Sequence, residues 1–160
     1  MKKIFSVVLC VSLMLGCLGF RVSAQEVVYP KVLHELTTTE DFSSDEWETV
    51  QKGAYLGNGV SSIGRADRTH IHISGSTNAT QKCDKVMLTL FVERSTSYGT
   101  GYGTYKKYHY SAENVYALAK EVSNISVERG YYYRVKGVHS VTHNGTQEIT
   151  DSVTDPIDYR

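Results

Sequence analysis

Three things are scarce in this chain: cysteine, an excess of charge, and any catalytic signature. Of its 3 cysteines, Cys10 and Cys17 lie in an apolar N-terminal stretch, which leaves Cys83 by itself in the remainder. A single cysteine forms no internal bridge, so a disulfide framework is excluded. A chain of this length buries about two thirds of its unfolded surface and needs no such staples. Cys83 reads as a semi-buried structural thiol, with an intermolecular disulfide as the alternative in an oxidising compartment. The charges balance, with 17 basic and 17 acidic residues. Without Lys2, Lys3 and Arg21 of the N-terminal stretch, 17 − 3 = 14 basic residues face 17 acidic ones, a net charge of −3. Nucleic-acid binding is driven by phosphate neutralisation, and this balance argues against it.

The motifs of catalysis are missing as well. Gly59-Val60-Ser61-Ser62-Ile63-Gly64 is not a G-x-S-x-G elbow. Gly99-Thr100-Gly101-Tyr102-Gly103 lacks the Lys-Ser/Thr ending of a phosphate loop. His70 and His72 share one face of a strand, with His109, His139 or His143 as conceivable third ligands, but zinc needs three or four convergent groups. The acidic stretch around residues 40–46 lacks the spaced ligands of a calcium loop. Pairing Cys83 with a histidine rests on no spacing at all. No catalytic residue, metal or cofactor is expected, and the three sequons at Asn78, Asn124 and Asn144 are expected to be unused.

What is present begins with an export signal. Lys2 and Lys3 precede an apolar run from Ile4 to Phe20, and Val22-Ser23-Ala24 sets small side chains before Gln25. This reads as a signal peptide over residues 1–24, cleaved between Ala24 and Gln25. The run is shorter than the ~20 residues of a spanning helix, so no membrane insertion is expected after cleavage. Leu13-Met14-Leu15-Gly16-Cys17 offers a rival site at which Cys17 is lipidated and the protein is held at the cell surface. Residues 25–52 are polar and acidic with no sustained period, and read as a flexible arm.

From residue 53 to 160 the chain alternates. Val86, Leu88, Leu90 and Val92 face one way, and Met87, Thr89, Phe91 and Glu93 the other. Further strands are expected over 69–74, 105–110, 124–127, 131–142 and 146–154. Asn144-Gly145 is a two-residue hairpin signal and Pro156 ends pairing. Residues 112–122, with Val115, Leu118, Ala119 and Val122 on one side, lean towards a helix. The spacing Val127, Gly130, Tyr133, Val135 is similar to the tyrosine corner of immunoglobulin-like and fibronectin type III-like domains, with Gly130 and Tyr133 as its structural residues. The expected fold is therefore all-β, a sandwich of that kind with about seven strands.

Longer stretches carry a second resemblance. Ile73-Ser74-Gly75-Ser76-Thr77, Cys83-Asp84-Lys85-Val86-Met87-Leu88-Thr89-Leu90, Gly130-Tyr131-Tyr132-Tyr133-Arg134-Val135-Lys136-Gly137-Val138-His139 and Asn144-Gly145-Thr146-Gln147-Glu148 resemble the small exported Firmicutes proteins grouped as DUF6147. The resemblance spans residues 53–157 and implies a secreted, β-rich protein of a Gram-positive bacterium. It implies no activity and no functional residues.

The surface feature with most to say is aromatic. Tyr102, Tyr105, Lys107, Tyr108 and Tyr110 cluster, and tyrosine offers large contact area with a polar tip. They are the candidate binding residues of a non-catalytic module for a protein or glycan. Cross-strand packing is the competing explanation. A small secreted effector, bacteriocin-like or of immunity type, is the alternative function. The expected state is a monomer, with a Cys83-linked dimer as the alternative.

Overall fold

The computed structural model describes residues 41–48 and 54–160. The expected signal, its cleavage point at Ala24 and Gln25, and Cys17 lie outside the described residues. The described chain is 77% strand, in one antiparallel sheet of seven strands that curls as a half-barrel. The strands are β1 (Phe42–Glu48), β2 (Leu56–Arg65), β3 (His70–Ser95), β4 (Gly103–Ser126), β5 (Tyr132–His143), β6 (Thr146–Val153) and β7 (Ile157–Asp158).

The curl follows from the length of β3. Its 26 residues pair with β4 along one edge for nearly their whole length. On the other edge, Ile71–Ala79 take β2 and Lys85–Ser95 take β5. Between those stretches the ladder is interrupted, from Asn78 opposite Ala117 to Cys83 opposite Val115. Irregularities of this kind bend a strand and raise its twist. The two halves of β3 then pack on each other. A Cβ on Gly75 would lie 2.8 Å from Leu90 Cδ2 and 3.3 Å from Leu88 Cδ1. Ile63, Ile71, Ile73, Val86, Leu88, Leu90, Val92, Val135 and Val141 are sealed in the interior between them.

Two sequence expectations are corrected here. Residues 112–122 are strand, the middle of the 24-residue β4, and not helix. Asn114 and Asn124 take positive φ (56° and 57°), and the register shifts near each. Those irregularities break the two-residue alternation and leave Val115, Leu118 and Val122 at a spacing that imitates a helix face. The arm expected over 25–52 contains β1. Phe42–Glu48 pair residue for residue with Gly64–Asn58, and Arg65 reaches back to Asp41 at 2.6 Å. Main-chain pairing makes this strand, which explains why side-chain periodicity does not reveal it.

Candidate functional site

Strand alternation divides the five candidate binding residues. Tyr108 and Tyr110 lie opposite Leu90 and Leu88, so they share the inward face and pack against the core at the open side of β4. Lys107 and His109 lie opposite Phe91 and Thr89 on the outward face. There the Lys107 ammonium sits 5.3 Å from the Phe91 ring, and His109 Nδ1 bonds Thr89 Oγ1 at 2.8 Å. Burial pushes the Tyr108 phenol up.

Tyr105 is the extra residue of a bulge, between Thr104 opposite Glu93 and Lys106 opposite Val92. Its hydroxyl donates to the Ser126 carbonyl at 3.1 Å, and its ring meets Tyr133 edge-on at 5.7 Å. The Arg94 guanidinium, paired to Glu128 at 2.9 Å, lies over the rings of both Tyr105 and Tyr131. Tyr102 donates to the Tyr98 carbonyl at 2.8 Å beneath Arg134, which is itself held by Glu93 at 2.8 Å. Burial pushes the Tyr102 phenol up to about 12. Tyr102 and Tyr105 are thus committed to packing. Half-buried Tyr108 and Tyr110 on the inward face and exposed Lys107 on the outward face remain as candidate contacts along the edge of β4.

β4 has a second property. Among the described strands it pairs with β3 alone, so its other edge carries main-chain donors and acceptors without a sheet partner.

Tyr133 closes the corner beside Tyr105. Its buried hydroxyl accepts from Glu128 N–H at 2.9 Å and donates to the Glu128 carbonyl at 3.1 Å. Gly130, at φ 94°, turns the chain between them and donates to the Tyr159 carbonyl. Tyr159 packs on Tyr133, and burial pushes its phenol up to about 12.

Among the described residues the histidines do not converge. His70 bonds Asp67 at 3.0 Å, and His72 lies over Gly64. His139 is fully buried, and sequence reasoning missed its part. Thr77 Oγ1 donates to the Met87 carbonyl at 3.0 Å, so it accepts from His139 Nδ1 at 3.1 Å. Nε2 then accepts from Ser152 Oγ at 2.9 Å, and Ser152 accepts from Ser61 at 2.7 Å. This direction of donation is what assigns the proton to Nδ1. A serine on an imidazole nitrogen suggests a nucleophile and its base. Here neither atom reaches the surface, and Nδ1 faces a hydroxyl in place of a carboxylate, so the group is an interior tie. The signal was available: His139 falls in phase with the inward Tyr133, Val135 and Val141. Cys83 is buried as well, and burial pushes its thiol up, with Asp84 and Glu148 adding to the effect.

These features define an all-β module with a structural tyrosine at one corner and a tyrosine-bearing edge that no other described strand covers. Residues 22–156 match the family of unknown function DUF6147, and the chain belongs to that family. No curated protein and no solved structure matches it.

Proposed function

We propose that this is a non-catalytic, secreted or surface-associated interaction module that engages a protein or a carbohydrate. The observation that carries the reading is the edge of β4 that no other described strand pairs with, beside which Tyr108, Tyr110 and Lys107 stand. Such an edge accepts an extended segment by adding a strand, with neighbouring side chains setting specificity. Tyrosine rings also suit the flat faces of sugars. The buried thiol of Cys83 favours a monomer over a disulfide-linked dimer.

The finer fold class we propose is an immunoglobulin-like sandwich whose second strand runs on into its third, and whose fourth runs on into its fifth, each crossing from one sheet to the other. β2, the first half of β3 and the second half of β4 stand in the order A, B, E. The first half of β4, the second half of β3, β5 and β6 stand in the order C′, C, F, G. The bonds between Tyr133 and Glu128 fall at the E–F corner, which supports the same reading.

The test compares wild type with a Lys107→Glu, Tyr110→Ala double variant against a glycan panel and the surface proteins of the producing cells. We expect at least a tenfold weaker interaction, since two interface contacts of ~1 kcal/mol each suffice for that. Undiminished binding by the variant removes β4 as the contact strip. Growth inhibition of related strains by the purified protein would favour the effector reading. Intact mass separates the two forms of export, beginning at Gln25 in the medium or at a lipidated Cys17 in the membrane fraction of a Gram-positive host.

A further inference from the structure

Four strands meet at one imidazole. His139 on β5 bonds Thr77 on β3 and Ser152 on β6, and Ser152 passes the chain to Ser61 on β2. Two glycines make the space. A Cβ at Gly59 would lie 2.4 Å from the ring, and one at Gly137 would lie 2.7 Å from Nε2. The contacts link β2, on one half of the curled sheet, to β5 and β6 on the other.

We propose that His139 is an acid-sensitive latch: as the neutral ring it holds β2 against β5 and β6, and as the cation it releases them and the sheet opens. The chemistry is a reversal of donors. A proton added at Nε2 turns that atom from acceptor to donor, so Ser152 must accept from it. The Ser152 hydrogen then loses its acceptor and regains one at Ser61 only by displacing the donation Ser61 makes to it, while the added charge stays buried among hydroxyls.

Among the described residues, the elements packed on the ring bring no carboxylate into hydrogen-bond contact with it. β2 presents Gly59 and Ser61, β3 presents Thr77 and the Ser76 backbone, β5 presents Gly137, and β6 presents Ser152 with Thr150 in register. Asp151 of β6 is engaged by Lys136 at 3.0 Å, and Glu148 is held by the amides of Tyr55 and Leu56. Asp151 and the Ser76 backbone favour the cation, but burial outweighs them and holds the imidazole down at about 4, against an ordinary 6.5. The unfolded chain therefore binds a proton that the folded one refuses between those values. This contribution to stability is complete above pH 6.5 and is lost as pH falls towards 4. Asp67, held at about 2 chiefly by the Thr69 amide, acts below that window.

The experiment is denaturant unfolding of the wild-type protein and His139→Gln at pH values from 7 to 4. For wild type, the unfolding equilibrium constant should rise roughly 100-fold over that range through this group. Glutamine keeps a donor and an acceptor but does not titrate, so its profile should be flatter by that factor. Equal slopes in the two proteins overturn the latch. Should the variant fail to fold, NMR titration of the wild-type ring decides. Protonation near pH 4 together with loss of amide protection in β2 and β6 supports the proposal. Protonation at pH 6.5 or above, or with β2 and β6 still protected, overturns it.

Discussion

Tyr133 fills the interior with its ring and pairs the two main-chain groups of Glu128 with its hydroxyl. Tyr133→Phe keeps the ring and leaves both groups to find other partners. The expected cost is roughly 1–2 kcal/mol, read as a lower midpoint in denaturant with an unchanged slope. A midpoint within error of wild type would mean that water replaces the hydroxyl at no cost. This residue was legible because Val127, Gly130, Tyr133 and Val135 are spaced as such a corner requires. The tyrosines of β4 were less legible. Their clustering was visible, but which of them face inward depends on the bulge at Tyr105, and a bulge leaves no mark in composition. His139 was hidden for the opposite reason. A polar side chain on the inward phase of a strand is read as an exception until its hydroxyl partners, distant in sequence, are seen.

At the scale of elements, the β5–β6 hairpin was the clearest feature. Asn144 and Gly145 both take positive φ, at 50° and 78°, and the strands register from His143 opposite Thr146. This is the geometry of a two-residue primed turn. Gly145→Ala meets no steric neighbour but forces a side chain into that conformation. It should cost about 1–2 kcal/mol, measurable by thermal unfolding; a neutral result would indicate that the turn has changed type. The second half of β3 was equally plain, since its alternation is unbroken from Val86 to Val92. β1 and the second half of β4 were not legible. One has no apolar period, and the other has a period disturbed by Asn114 and Asn124.

For the whole molecule, turn residues between alternating runs gave the all-β class. The curling of one sheet across itself had no counterpart in hydropathy, because several contacts that close it are between polar groups. Ser61 with Ser152, Thr77 with His139, and Ser43 with the Asp155 amide join segments far apart in the chain. That separation has a kinetic consequence. β3 and β4 are neighbours in sequence and can zip from their shared turn, whereas Ser61 and Ser152 stand 91 positions apart. Local pairing of β3 with β4 closes a short loop and the interior tie a long one, so the tie is expected to form after the rate-limiting step of folding. Ser152→Ala should accordingly raise the unfolding rate and leave the refolding rate nearly unchanged in stopped-flow measurements. A slowed refolding limb would instead put the meeting of β2 and β6 among the first events of folding.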